Sequence, residues 1–355
     1  ISPWNFPVNL VLAPMGGILA AGNRVMVKPS ELTPSTSEVI KQMFEEFFDQ
    51  GEISVFTGDT EVGAAFSSLP FDHLLFTGGT EIAKHVMKAA SANLVPLTLE
   101  LGGKSPVIVG KGTNISSAAQ RVMQGKTMNA GQICLAPDYA LVPKEKIQEF
   151  VEESVTAVSN MYPSLKDNED YTSIINQKHF ERIKTYLEDA KEKGAELIEI
   201  NPNEEDLSQQ PHFKIPPTLV LNPTEEMKLM QEEIFGPVLP VKAYERVEES
   251  VEYINQKDRP LGLYYFGSDK KEQDYVLKNT TSGGVTLNDV ISHITQENLP
   301  FGGVGPSGMG SYHGYDGFKE FSHAKSIYKQ TKLNLNKLAG LVPPYKSKTD
   351  KTASP

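Results

Sequence analysis

From Asn23 to Val109, short apolar segments alternate with segments of helical spacing. This is the pattern of crossover units in a parallel sheet, and it constrains the fold more than any other feature of the chain. Arg24 to Val27 reads as a strand. Pro29, Pro34 and a Ser/Thr cluster break it, and Thr33 followed by Pro34 suits a helix cap and first helical position. In the helix that follows, Val39, Ile40, Met43, Phe44, Phe47 and Phe48 recur every three or four residues, which predicts one apolar face laid on the sheet. Ile53 to Phe56, His73 to Phe76 and Pro96 to Leu99 read as further strands, with helices over Thr60 to Ser67 and Thr80 to Ala90. The result is a doubly wound α/β region.

A second alternating set begins after Gly102-Gly103. Val107 to Val109 and Ala140 to Val142 read as strands, and Ser117 to Met128 as a helix. The spacing of Ile147, Phe150, Val151, Val155 and Val158 predicts another helix. Glu181 to Lys193 reads as a charged amphipathic helix with no evident chemistry, and Asn201 to Pro217, rich in Asn, Gln, Glu and Pro, as a surface loop or hairpin. The expected architecture is therefore a partial nucleotide domain over 1–101, an α/β catalytic domain over 102–299, a return to the site over 300–325, and an arm with a polar tail over 326–355.

Composition removes several function classes. One cysteine cannot form an internal disulfide or a cysteine-ligated zinc site. The net charge of 34 − 45 = −11 argues against a nucleic-acid footprint, which needs clustered Lys and Arg. Seven lysines against one acid from Lys325 to Pro355 make a local +6, ordinarily a solvated tail. The most apolar region, Val8 to Val27, is broken by Asn9, Pro14, Gly16, Gly17, Gly22 and Asn23, so no transmembrane segment is expected. No signal peptide is visible. Ile1 is not an initiator methionine, and Ile1-Ser2-Pro3-Trp4 reads as the end of a buried strand entering a turn, so an amino-terminally incomplete chain is expected.

Three residues carry candidate chemistry. Cys134, in Asn129-Ala130-Gly131-Gln132-Ile133-Cys134-Leu135-Ala136-Pro137, is either a buried structural thiol or a nucleophile on a turn. Such a turn can present the sulfur and its own N–H to one carbonyl, as acyl chemistry requires. Glu100, between leucines and before Gly102-Gly103, is either a paired carboxylate or a general base whose pKa is raised by apolar burial. Asn5, fixed between Pro3 and Pro7, is either a rigid donor to an oxyanion or a turn-forming Asn.

Pro3-Trp4-Asn5-Phe6-Pro7, Lys28-Pro29-Ser30-Glu31, Phe76-Thr77-Gly78-Gly79-Thr80, Leu99-Glu100-Leu101-Gly102-Gly103-Lys104, Gly131-Gln132-Ile133-Cys134, Glu232 to Pro237 and Pro300 to Gly303 follow one another along nearly the whole chain. In order and rough spacing these motifs resemble the aldehyde dehydrogenase superfamily. Pro14, Gly308 to Gly314, Phe321-Ser322-His323 and Pro343-Pro344-Tyr345 are similar to its class 3 and coniferyl aldehyde branch. The resemblance implies a Rossmann-like nucleotide-binding domain incomplete at the amino end, an α/β catalytic domain and a small oligomerisation arm, with a strand near Ser326 to Lys332.

It further implies an enzyme in which the Cys134 thiolate attacks an aldehyde. The Asn5 amide and the Cys134 N–H would hold the oxyanion, and water activated by Glu100 would release the acid. Lys28 and Glu31 would meet the adenosine ribose, Gly78, Gly79 and Thr80 the pyrophosphate, and Glu233 the nicotinamide ribose, with Phe235 packed beside it. Gly79 and Ala83 depart from residues common in other branches, so altered affinity is expected. Glu31 favours NAD, because a carboxylate repels a 2′-phosphate, with NADP as the second choice. The implied substrate is an aromatic or hydrophobic aldehyde such as coniferaldehyde, or a medium-chain aliphatic one; the implied assembly is a cytoplasmic homodimer without metal.

His293, His313, His323, Pro306 and Ser307 read as loop anchors rather than catalytic groups, and Phe301 with nearby aromatics as a tunnel lining. The alternatives are an acylating dehydrogenase that passes the thioester to coenzyme A, a nucleotide-binding chain without turnover, and a cysteine hydrolase. The last would need a histidine beside Cys134.

Overall fold

The computed structural model describes residues 1–343 and 345; Pro344 and the polar stretch 346–355 lie outside the described residues. Two units are present, Ile1–Phe321, which carries all three sheets, and Ser322 onward.

The chain opens with α1 (Asn9–Ala20), followed by β1 (Val25–Val27), α2 (Pro34–Phe47), β2 (Ile53–Val55), α3 (Thr60–Ser67), β3 (Leu74–Thr77), α4 (Thr80–Ser91) and β4 (Leu97–Glu100). The ladders β1–β2 and β3–β4 are parallel. Ile1 and Ser2 lie between them. The Ile1 amino group donates to the Leu75 carbonyl at 2.8 Å, Thr77 N–H returns to the Ile1 carbonyl at 3.1 Å, and Ser2 N–H donates to the Lys28 carbonyl at 3.1 Å.

Local chemistry sets the helix starts. The Asp59 carboxylate accepts the Glu61 and Val62 N–H groups at the head of α3, and Pro34 occupies the first turn of α2. Helix α1 was not anticipated, since Pro14, Gly16 and Gly17 interrupt its pattern; its Leu10, Val11, Pro14 and Met15 are nonetheless buried. The apolar stripe of α2 is narrower than expected. Ile40 and Phe44 pack on Val25, Val27, Ile53 and Val55, whereas Val39 and Phe47 are 63% and 70% exposed. Strands of three residues each offer too little sheet to cover the wider face.

The second half runs β5 (Pro106–Val109), α5 (Ile115–Thr127), β6 (Tyr139–Pro143), α6 (Ile147–Met161), α7 (Gln177–Glu192), β7 (Glu196–Glu199), β8 (Thr218–Leu221), the single turn α8 (Lys228–Gln231), β9 (Val238–Tyr244), α9 (Val247–Asn255), β10 (Gly262–Phe266), α10 (Lys270–Asn279) and β11 (Gly284–Leu287). These strands form one sheet in the order β11-β10-β5-β6-β9-β8-β7, parallel except for β7. Every residue of β5, β6 and β10 is buried, as expected of parallel strands covered on both faces. Val107, Val109, Ala140 and Val142 pack with residues of α5 and α6, while Ile108, Leu141, Leu263 and Tyr265 pack with residues of α9 and α10.

β12 (Gly308–Met309) then returns to pair antiparallel with β4, setting Gly308 opposite Glu100, and α11 (Gly314–Glu320) follows. No helix or strand lies within 201–217. In the second unit, 326–332 forms no ladder within the described residues, in place of the strand expected there; its regular element is a single helical turn, α12 (Leu335–Leu338).

Candidate active site

Helix α5 stops because Asn129, Ala130 and Gly131 adopt left-handed backbone in succession, with φ of 49°, 51° and 73°. Gly131 is required there. A Cβ on it would lie 2.3 Å from the Gly236 carbonyl oxygen, so the turn before Cys134 packs directly on the Glu233–Gly236 segment.

Gln132, 2% exposed, pins this turn. Its side-chain amide donates to the carbonyls of Asn129 and Ser173, both at 3.0 Å, and its side-chain oxygen accepts Ile175 N–H at 2.9 Å. The Asn5 amide donates to the Gln132 main-chain carbonyl at 3.1 Å, and the Asn129 amide returns to the Asn5 carbonyl at 3.2 Å. Asn5 and the cysteine turn are thereby joined across 127 residues. One N–H of the Asn5 amide makes that bond, leaving a second for another acceptor.

Cys134 is a free, half-buried thiol among Phe6, Ile133, Leu135, Phe301 and Tyr312. Burial, then the Glu233 and Glu100 carboxylates, push it up to about 12, against the pull of the Cys134 and Leu135 N–H groups. Both carboxylates therefore act on the thiol. Glu100 is 3% exposed at the end of β4, and among the described residues neither carboxylate oxygen has a hydrogen-bond partner. Burial, then the nearby Glu320 carboxylate, raises it well above the ordinary range.

Glu233 is half-buried over Gly102, where a Cβ would lie 2.3 Å from its carboxylate. Burial and the Asp138 carboxylate push it up to about 7, opposed by the Gly103 N–H, Lys104 and Arg182. Its segment is held by groups that sequence reasoning missed. Lys104 pairs with Asp138 and donates to the Leu229 and Glu232 carbonyls at 2.7 and 2.9 Å; Asp138 accepts Ile234 N–H at 3.0 Å. From α7, a helix expected to lack chemistry, Arg182 donates to the Glu233 carbonyl at 3.3 Å and Tyr186 to the Glu232 carboxylate at 2.5 Å. Phe235 packs edge-on against Trp4, with centroids 5.5 Å apart. Lysines and acids on separate elements leave no periodic signal by which these partners could have been matched.

The remaining candidates lie around the β3–α4 turn and β1. Gly78 N–H donates to the Glu100 carbonyl at 3.0 Å, joining that turn to the Glu100 strand. Gly79 caps α4, and the space beside its Cα is open; the Thr80 hydroxyl is engaged by the Pro306 carbonyl at 3.1 Å. Ala83 is buried in the core beneath. Lys28, 3% exposed, pairs with Glu31 at 2.7 Å. Burial raises the Glu31 carboxyl, but the Lys28 ammonium more than offsets this and leaves it below its ordinary value. These groups fit a dinucleotide: bare helix N–H groups for phosphates, and ionisable carboxylates for ribose hydroxyls.

No histidine hydrogen-bonds to Cys134 among the described residues. His293 meets the Thr286 hydroxyl at 2.8 Å, and His313 stacks on Phe301 at 5.4 Å. Tyr312, also unforeseen, is buried, and the Glu100 and Cys134 charges act on its hydroxyl.

Comparison with known proteins places this geometry. The pattern described as the aldehyde dehydrogenase family matches residues 1–327. The chain is 63% identical over 345 residues to a probable coniferyl aldehyde dehydrogenase of Caulobacter vibrioides, covering 97% of this chain and 71% of that one. It is 55% identical over 343 residues to a coniferyl aldehyde dehydrogenase of a Pseudomonas strain, with 97% and 71% covered. A Staphylococcus aureus betaine aldehyde dehydrogenase solved in complex with NAD+ superposes with a TM-score of 0.84 at 30% identity, over 94% of this chain and 69% of the other.

Proposed function

The chain belongs to the aldehyde dehydrogenase family, and from that premise we propose that it oxidises an aromatic aldehyde to the carboxylate with NAD, NADP being the second choice, through Cys134. The observation that carries this reading is the left-handed turn 129–131, which leads to a thiol within the field of Glu100 and Glu233 and is followed by the Gln132 carbonyl that the Asn5 amide grips, two residues before the cysteine.

As the Cys134 sulfur bonds to the aldehyde carbon, the thiol proton passes to solvent and the carbonyl π pair moves onto oxygen, giving an oxyanion. The second Asn5 N–H and the Cys134 main-chain N–H donate hydrogen bonds to that oxyanion. When bound, the dinucleotide supplies the acceptor for the hydride whose loss converts the adduct to a thioester. Glu233 and the Lys28–Glu31 pair would hold its riboses, and the head of α4 its phosphates. Glu100 takes a proton from water as the water oxygen adds to the thioester; the C–S bond then breaks, returning the thiolate and releasing the acid.

Glu31 supports the preference for NAD, since an ionised carboxylate accepts ribose hydroxyls and repels a 2′-phosphate. A coniferaldehyde-like substrate is supported by the names of the two relatives and by the aromatic wall of Phe6, Phe301 and Tyr312 around the thiol. A homodimer in the cytoplasm completes the reading, with light scattering as the check on assembly.

The test is NADH formation by the purified protein on a panel of aromatic and aliphatic aldehydes. Coniferaldehyde should be the best substrate, and Cys134→Ser should abolish turnover. Preference for medium-chain aldehydes overturns the substrate, a higher efficiency with NADP overturns the cofactor choice, and stoichiometric acyl-CoA formation overturns the hydrolytic step.

A further inference from the structure

One strained residue has no part in the mechanism above. Ile291 has φ of 65° and ψ of −35°, and Ser292 N–H closes on the Val290 carbonyl at 2.6 Å, a geometry close to the rare form of the three-residue γ-turn. A β-branched side chain is poorly suited to left-handed backbone. Asn288 takes φ of 56° nearby with a side chain that tolerates it. Strain of this kind persists only where the surroundings over-determine it, and it gathers at functional sites.

The surroundings of Ile291 do so. The Asp289 carboxylate accepts Val290 N–H at 2.9 Å and the Ser292 hydroxyl at 2.8 Å, and it pairs with Arg121 of α5 at 3.3 Å. The Thr286 hydroxyl accepts His293 N–H at 3.3 Å. Held in this way, the half-buried Ile291 side chain reaches α5, where a Cβ on Gly125 would meet its Cδ1 at 3.4 Å. It also packs on the apolar cluster of Leu135, Phe301 and Tyr312, the same cluster on which Cys134 packs.

Tyr264 ties this turn to the cysteine. It lies in β10, opposite Thr286 of β11, and is fully buried. Its hydroxyl donates to the main-chain carbonyl of Leu135, the residue after Cys134, at 2.6 Å, and is reached in turn by the Ile291 N–H. Burial, then the Cys134 charge, raises the phenol well above its ordinary range, so the hydroxyl stays a donor. A phenylalanine would fill nearly the same volume but leave the Leu135 carbonyl and the Ile291 N–H without this partner.

We infer that Tyr264 is a positioning residue: its hydroxyl locks the strained Ile291 turn to the chain that bears Cys134, and so fixes the wall that Ile291 presents near the thiol, favouring flat aromatic aldehydes over flexible aliphatic ones. The inference rests on the proposed aldehyde oxidation at Cys134. Without the hydroxyl, Ile291 is free to leave the left-handed region and its side chain loses a fixed direction. A rigid ring depends on walls already in place, whereas a flexible chain adjusts its own torsions to a wall that has moved.

The experiment is the ratio of kcat/KM for cinnamaldehyde to that for hexanal in the wild type, Tyr264→Phe, Ile291→Gly and the Tyr264→Phe/Ile291→Gly pair. Glycine adopts positive φ freely, so Ile291→Gly keeps the turn and deletes the wall. Each single substitution should lower the ratio roughly tenfold, and the pair should lower it no further. The same proteins are alkylated at their single cysteine with N-phenyliodoacetamide and N-hexyliodoacetamide, where the phenyl-to-hexyl rate ratio should fall in parallel. An unchanged ratio, an equal loss on both aldehydes, or a further fall in the double variant each overturns the inference. If Tyr264→Phe does not fold, Tyr264→Met takes its place under the same criteria. Absence of any NADH formation by the wild type would overturn the functional reading, while the alkylation ratio, which needs neither cofactor nor turnover, still decides this one.

Discussion

The Asn5 side-chain amide donates to the main-chain carbonyl of Gln132 at 3.1 Å, two residues before the cysteine. An anchored amide has its remaining N–H fixed in direction before any substrate arrives, which is what makes an oxyanion donor effective. Asn5→Ala should therefore lower kcat by about 10²–10³, with the protein still folded by circular dichroism. A loss under about tenfold would show that the amide serves the turn alone.

Cys134 is the single cysteine, so alkylation reports on one site. Its thiol is pushed up to about 12 by burial and by Glu233 and Glu100, and the thiolate fraction therefore grows with pH throughout the neutral and mildly alkaline range. Without cofactor, the iodoacetamide rate should rise about tenfold per pH unit from near neutrality to about pH 10. Glu233→Gln should speed it at any given pH by removing a negative neighbour. A plateau below about pH 9 would contradict the geometry.

In the proposed hydrolysis Glu100 takes a proton from water and would have to be ionised to do so, while burial followed by the Glu320 charge raises its carboxyl well above the ordinary range. The acid limb of kcat should consequently lie well above the usual carboxylate region, and Glu100→Gln should remove it while lowering kcat by about 10²–10⁴. Stability runs the other way. The folded state holds this proton more tightly than the unfolded chain, so the contribution of Glu100 is full below its unfolded pKa and is lost as pH rises through the raised value. Denaturant titrations should show Glu100→Gln gaining on the wild type towards alkaline pH. An advantage that does not grow with pH would count against a buried, raised carboxyl.

Asp138 joins Lys104 to the Ile234 N–H and so holds the segment that carries Glu233. Asp138→Ala leaves the Lys104 ammonium without its carboxylate and should cost about 3–5 kcal/mol, read as a fall in melting temperature. The KM for NAD should rise as well, because the Glu233 backbone is released. Adding Lys104→Met should recover part of the stability but not the KM. Recovery of both would mean that the pair is a charge device and not a clamp.

Much of this could be read before any coordinates. The helix Thr60–Ser67 has the bounds expected of it, and β1, β3, β4, β5 and β6 fall within a residue or two of the apolar runs. Asn5, Glu100 and Cys134 stand out through their flanking glycines, prolines and leucines, and Glu233 only through the family resemblance. Helix α1 does not, because its proline and glycines hide a burial pattern that packing alone rescues. The breadth of the α2 stripe was overestimated for a related reason: periodicity says which residues share a face, not how much partner surface that face will meet.

Sequence by itself determined the alternation that makes two α/β regions, the family, and the residues on which chemistry can be staged. These are encoded within windows of about ten residues, where spacing, capping and backbone permissiveness act. Only the tertiary structure decided which buried polar groups face one another: Gln132 across three segments, Lys104 with Asp138, and Arg182 on the Glu233 carbonyl. The reason is physical. A charge taken from water is worth what its neighbours make it worth, and those neighbours come from elements as much as a hundred residues apart, brought together by the fold.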